Sequence, residues 1–317
     1  MTIGAYFASL SLPRLLSNLP GGIAQGLIWG IMAMGVYITY RLLDVADLTV
    51  DGSFALGGAV AVMMILGGYP AWLAVLVAAA AGALAGLCTG LLHVKLGIPA
   101  ILAGILTQFS LYSINLRVMG MAANKAVSVD KFSLLLSSRN ITGAIVFSAI
   151  VGALLVSLYY WFFGTEKGCA LRATGSNAAM SSALGINVGS IKILGLALSN
   201  GVVALSGAFM AQYQGFADVN MGRGAIVIGL AAVIIGEVLG KAVFGKRMNF
   251  ALTMLSVVAG GVVYYLVVVV ALWMRLNSNY LKLVTAIIVA LFLAVPYLRE
   301  QQKSSFTRLK VKEDRHA

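Results

Sequence analysis

Nine runs of predominantly apolar residues divide this chain, near 21–40, 52–68, 71–92, 98–117, 141–163, 190–213, 223–240, 248–270 and 281–298. Each approaches the ~20 residues that an α-helix needs to cross the hydrocarbon core of a bilayer. The second and seventh are short, and the stretch 41–51 can itself dip into the membrane, so the pattern predicts about eight to ten spans. A soluble domain carries about 25% charged residues; here 10% are charged and 61% hydrophobic. One core cannot enclose that much apolar side chain, so the excess faces lipid. The fold class expected is an all-α integral membrane protein, a polytopic helical bundle.

No soluble domain fits between the runs, whose longest interruptions are 118–140 and 164–189. The chain reads as one membrane domain, 1–298, and a basic tail, 299–317. The opening stretch MTIGAYFASLSLPRLLSNLP has neither a basic n-region nor a cleavage site and reads as a short interfacial helix leading into the first span.

The net charge of +12 is a matter of topology. Arg299, Lys303, Arg308, Lys310, Lys312 and Arg315 follow the last apolar run and suit a cytoplasmic tail against anionic headgroups. With the C-terminus inside, the cytoplasmic face also receives Lys95, Lys167, Arg172, Lys192, Lys241, Lys246 and Arg247. The outer face receives Arg117, Lys125, Lys131, Arg139, Arg223, Arg275 and Lys282, leaving Arg14 and Arg41 unassigned. The excess places 164–189 in the cytoplasm. A nucleic-acid role is excluded by this scatter.

Catalytic chemistry finds no support. Cys88 and Cys169 are far apart and fit no metal-ligand spacing; His93 and His316 have no nucleophile beside them. GKAVFGKR, 240–247, nearly matches a phosphate-binding loop, but Arg247 stands where a magnesium-binding hydroxyl belongs and a membrane span, not a strand, precedes it. It reads as a basic turn. No catalytic residue, metal or cofactor is expected.

Polar residues within or beside the spans define the candidate sites. DVADLTVDGSF, 44–54, spaces Asp44, Asp47 and Asp51 so that a helix would put all three on one face. Asp51 also suits an N-cap for a span beginning at Gly52. Two readings stay open: a solvated turn, or a broken helix turning polar groups toward a central cavity. The span 97–118 carries Thr107, Gln108, Ser110, Ser113 and Asn115, and the sixth span carries Asn200 and Gln212; such groups hydrogen-bond between helices or line a path. Glu237 stands four residues before Lys241 and can pair with it. Gly82, Gly86 and Gly90 recur every four residues, a spacing that lets helix backbones touch, here most simply within one chain.

The segment GCALRATGSNAAMSSALGINVGSIK, 168–192, lacks the amphipathicity of a helix that floats on a membrane. Its small, helix-compatible residues suit close docking against another protein.

ALRATGSNAAMSSALGINVGSIKILGLALSNGVVALSGAFMA resembles the permease subunits of ATP-binding-cassette importers of the branched-chain amino acid and ribose type. DLTVDGSFALGG resembles the family's broken-helix segment, and VKLGIPAILAGILT its next shared segment; together they cover most of 21–240. The resemblance implies a broken helix near 44–54 and a cytoplasmic coupling helix near 169–185, with Arg172, Ala173, Thr174, Gly175, Asn177, Gly185 and Ile186 as the ATPase-coupling positions. Of these, Arg172 and Asn177 would contact the ATPase, and Gly175 would let its backbone approach. It favours Asp47, Thr49, Asp51, Ser53, Thr107 and Gln108 for the wall of the translocation path. The partners implied are separate ATPase subunits that bind the ATP, an extracytoplasmic substrate-binding protein, a second permease copy and membrane lipid. The implied place is a bacterial inner membrane, with import of a small polar solute such as an amino acid, including aromatic ones. An ion-coupled secondary transporter using the 44–51 acidic cluster is the alternative.

Overall fold

A computed structural model describes residues 12–129 and 131–274, with isolated positions between 283 and 294. Apart from those positions, the expected ninth span, 281–298, lies outside the described residues, as does the basic tail. Eight helices among those described are long and apolar enough to cross a membrane. They are α1 (Leu12–Tyr37, extended by a π-helical turn at Ile38–Leu42), α2 (Thr49–Leu66), α3 (Ala71–Val94), α4 (Ala100–Val118) and α5 (Ile141–Phe163). After two short helices, α6 (Glu166–Ser176) and α7 (Ala178–Ala183), come α8 (Val188–Gln214), α9 (Ala225–Phe244) and α10 (Phe250–Trp273). Of the N-terminal stretch expected to form an interfacial helix, residues 12–20 belong to α1 itself, which runs on through Pro20, and residues 1–11 lie outside the described residues.

Helix boundaries follow local chemistry. Side chains of Asn140, Thr165, Asn177 and Asn187 cap α5, α6, α7 and α8 by accepting backbone N–H groups of Gly143, Gly168, Met180 and Ser190. Pro70 and Pro99 precede α3 and α4, where a missing N–H costs nothing. α8 ends at Gly215, whose φ of 79° is the left-handed stop that glycine favours.

α8 runs through the middle of the bundle against α1, α2 and α3. Its pairing with α2 is parallel, Ser53 and Gly57 lying beside Asn200 and Ala204. Its pairing with α3 is antiparallel, with Gly82, Gly86 and Gly90 facing Ala204, Leu196 and Ile193. The repeating glycines are thus an intramolecular seam. α1 lies antiparallel to α10, Gly22 and Gly30 meeting Val269 and Val258.

Loops gather at two ends. One holds 38–48, 95–99, 164–187 and 245–249, with Lys95, Lys167, Arg172, Lys192, Lys241 and Arg41 on or beside them. The other holds 67–70, 119–140 and 215–224, where Asn124–Ala126 (β1) pairs antiparallel with Phe216–Asp218 (β2). GKAVFGKR is the end of α9 and the tight turn that follows it at the first end, a helix and not a strand before the turn.

Between the π-helical turn and α2 the backbone is irregular over 43–48. Asp47 there bonds Asn200, twelve residues into α8, which is ~18 Å along that helix. The segment therefore penetrates the bundle, as the suspected dip at 41–51 implies. Irregular backbone at such depth must be enclosed by protein, and Leu43, Val45 and Asp47 are buried.

Candidate functional site

The three carboxylates of 44–51 do not share a helix face, because the helix begins only at Thr49. Asp44 is exposed with a φ of 52°, Asp47 is buried, and Asp51 is half-buried in the first turn of α2. Each does something different.

Asp47 organises a polar chain between helices. Its Oδ1 accepts the backbone N–H of Thr49 at 2.9 Å and its Oδ2 accepts Nδ2 of Asn200 at 2.6 Å. Asn200 also donates to the Leu196 carbonyl at 3.0 Å, while its Oδ1 accepts the Ser53 hydroxyl at 2.7 Å. The bond to Leu196 fixes which way the amide faces, since a flip would set two acceptors against each other. A second chain joins three helices: the Thr49 and Thr89 hydroxyls lie 2.7 Å apart, and Thr89 donates to Thr107 at 2.9 Å. Thr107 ends the series by donating to the Ala103 carbonyl at 3.0 Å. Interhelical bonding of this kind ties spans that have no hydrophobic drive to associate.

Asp51 caps a helix, though not its own. Its Oδ2 and Oδ1 accept the backbone N–H groups of Gly224 and Ile226, both at 2.9 Å, at the start of α9. The carboxylate thus sits at the positive end of the α9 dipole. The capping chemistry expected of Asp51 is present, but it acts on a helix 173 residues downstream.

Beside Asp51 opens a cavity of about 540 Å³ between α2, α4 and the 219–223 turn, walled by Asp51, Gln108, Tyr112, Asn115, Asn220 and Arg223 among others. Its size falls in the ~300–1,000 Å³ range of small-molecule sites. Of the six residues proposed for a path wall, Asp51 and Gln108 reach this cavity. Asp47, Thr49, Ser53 and Thr107 are buried between helices and hold the wall in place. Asn115, Asn220 and Arg223 add further polar groups to the lining; the last two are polar residues of a loop, which one sequence does not connect to α2.

At the end carrying 164–187, the coupling positions divide by orientation. Gly175 faces inward, where a Cβ would run into the Leu42 carbonyl oxygen; its missing side chain admits the π-helical turn of its own chain. Thr174 is buried as well. Arg172 reaches back to the Phe163 carbonyl at 2.9 Å, tying α6 to the end of α5, and Asn177 caps α7. Ala173 and Ile186 are half-buried, and Gly185 turns with a φ of 83°. The apolar side chains presented outward are Met180 and Leu184, 59% and 70% exposed. Glu237 pairs with Lys241 at 3.7 Å as expected, but its closer partner is Arg41 at 2.9 Å.

The carboxylates of 44–51 do not converge on one ion site, and among the described residues no group of three or more His, Cys, Asp or Glu could hold a metal.

Residues 18–296 match the family described as "Branched-chain amino acid transport system / permease component". The chain is 39% identical over 294 residues to a tyrosine transport system permease protein of Clostridioides difficile, covering 93% of this chain and 96% of that one. It is 28% identical over 224 residues to a ribose import permease of Escherichia coli, covering 70% and 69%. It is 26% identical over 235 residues to a probable branched-chain amino acid transport permease of Methanocaldococcus jannaschii, covering 69% and 73%. No solved structure matches.

Proposed function

We propose that this chain, which belongs to the permease family of branched-chain amino acid transport systems and is the membrane component of an ATP-binding-cassette importer, carries amino acids along a path lined by α4 and the cavity beside Asp51. A second copy completes that path. The observation that supports this most is a contrast between two helices. α4 and α5 are equally exposed and are the least buried of the eight spans, yet α4 is the least apolar and α5 among the most apolar. A face that meets lipid should be apolar. The outer face of α5, with Ile150, Leu154 and Leu158, is. α4 exposes Ser110, Ser113 and Tyr112 beside Ile101, Leu102, Leu106, Phe109 and Ile114, with Gln108 half-buried, a mixed composition suited to water, substrate and a partner protein.

The amino-acid reading draws on the relative whose name is a tyrosine transport permease. Met180 and Leu184 project from a surface outside the spans, where large exposed apolar side chains suit a protein interface. They would seat in the ATPase subunits, which bind and hydrolyse the ATP. That end, rich in Lys and Arg, is then cytoplasmic in a bacterial inner membrane, and the C-terminal tail emerges on the same side. A substrate-binding protein delivers to the opposite end. ATP shifts the spans only through its differential affinity for the two arrangements.

Single cysteines at Ser110, Ser113 and Leu154, in a chain with Cys88 and Cys169 replaced, test the reading. Membrane-impermeant maleimide should label positions 110 and 113 in cells and block amino-acid uptake, leaving 154 unlabelled. Labelling of 110 and 113 only by lipid-soluble reagents, like 154, would place α4 against lipid and end the proposal. Mild-detergent purification should also recover a cassette ATPase in about equal amount to the permease.

A further inference from the structure

The wall of the cavity beside Asp51 holds a hydrogen-bonding deficit of a particular kind. Asn115 is 1% exposed, and its Oδ1 has no hydrogen-bond partner. Its Nδ2 donates to the Gly52 carbonyl at 3.4 Å, which orients the amide so that oxygen is the unmet atom. A buried acceptor without a donor is costly, and native proteins seldom leave one unexplained. Asp51 lies on the same wall. Its two oxygens accept backbone N–H groups from Gly224, Ala225 and Ile226 at the start of α9, fewer than the about four bonds a carboxylate can accept, so acceptor capacity remains. One part of the cavity is thus rich in acceptors.

Arg223 contributes the opposite character. It is exposed at the cavity, and among the described residues its guanidinium pairs with no carboxylate. Asn220 stands three residues before it on the same turn. Guanidinium offers planar paired donors that match a carboxylate. On the same cavity, Tyr112 of α4 offers an aromatic surface.

We infer that this cavity is a binding site for the zwitterionic head of an α-amino acid, with the ammonium group donating to Asn115 Oδ1 and Asp51 and the carboxylate accepting from Arg223. The three N–H donors of an ammonium group match the acceptors left open on those two side chains. A side chain as large as an aromatic ring has room against Tyr112. On this reading the permease itself selects for both charges of its substrate; a neutral sugar would leave Arg223 without a counter-charge. The inference rests on the α4-lined path proposed above and specifies what occupies it.

The test is saturation-transfer NMR on the full chain in lipid nanodiscs, with L-tyrosine, tyramine, N-acetyl-L-tyrosine and ribose as probes. L-Tyrosine should bind and be displaced by L-leucine. Tyramine, lacking the carboxylate, and N-acetyl-L-tyrosine, lacking the ammonium, should each bind about tenfold more weakly, the scale of one lost charge-assisted hydrogen bond. Asn115→Leu should weaken L-tyrosine by about tenfold. Arg223→Gln, at an exposed position that leaves folding intact, should remove the preference for L-tyrosine over tyramine. Ribose binding as well as L-tyrosine, or an Arg223→Gln variant with an unchanged preference, would overturn the inference. So would absence of saturable L-tyrosine binding in a chain that still supports amino-acid uptake in cells, and that result would leave the path reading standing. Lipid-only labelling at 110 and 113 would instead bring down the path reading itself.

Discussion

Removing Ser53 and Asn200, singly and together, measures the bond that joins α2 to α8 at the centre of the bundle. Both side chains are 0% exposed and the bond is 2.7 Å long. Interhelical hydrogen bonds inside membrane proteins average ~0.6 kcal/mol and reach ~1.7 kcal/mol. Ser53→Ala also strands Asn200 Oδ1 without a donor, where an unmet buried acceptor costs ~1–3 kcal/mol. A loss of about 1–2 kcal/mol is expected for that variant. Asn200→Leu removes the bonds to Asp47, Ser53 and the Leu196 carbonyl, the first at 2.6 Å, and sets the Asp47 carboxylate against a methyl group. About 3–4 kcal/mol should follow. In the double variant Ser53 has no partner left to lose, so the total should fall short of the sum by about 1 kcal/mol. Reversible unfolding of the detergent-solubilised protein by added SDS reads all three values. Losses that add to within ~0.5 kcal/mol would show that the two side chains are uncoupled, and would refute the bond as a tie between these helices.

Three further outcomes are expected. Met180→Asp with Leu184→Asp should leave membrane abundance unchanged and reduce co-purified ATPase by about tenfold, since several buried apolar contacts of ~1 kcal/mol or more are exchanged for charge. Gly175→Leu, which drives a side chain into the Leu42 carbonyl, should lower uptake by displacing α6 from the π-helical turn; ATP hydrolysis that stays coupled to uptake in that variant would refute this contact. Asp51→Ala removes the acceptor of two N–H groups at the start of α9, and should cost about 1–2 kcal/mol in the same SDS assay, near the upper range for an N-cap because the lost acceptor is charged.

Apolar runs located eight of these helices because the need to satisfy every backbone group in lipid makes a span nearly synonymous with twenty apolar residues. The glycine spacing of α3 and the Glu237–Lys241 pair were legible for a similar reason: both depend on neighbours three or four positions away. The acidic stretch was not. Its spacing suits a helix, yet the helix starts at Thr49, where Asp47 Oδ1 takes the first free N–H. Asp51 shows the limit most plainly. A cap was the right chemistry, but its helix begins at residue 225, and nothing local to 44–54 points there. Gly175 likewise showed a need for close approach without showing that the approaching backbone is Leu42 of the same chain. The cavity joins three segments far apart in sequence, so of its lining only Asp51, Gln108 and Asn115 were anticipated, and none of the 219–223 turn.

The contact of α2 with α8 has a mechanical consequence. At Gly57 and Gly207 an added Cβ would strike the carbonyls of Ala204 and Phe54, so the two backbones meet without side chains between them. Sliding of packed helices needs a layer of rotamers that can give way, and at these two positions there is none. The pair should behave as a strut. Relative displacement within the bundle must then be taken up at joints outside this pair.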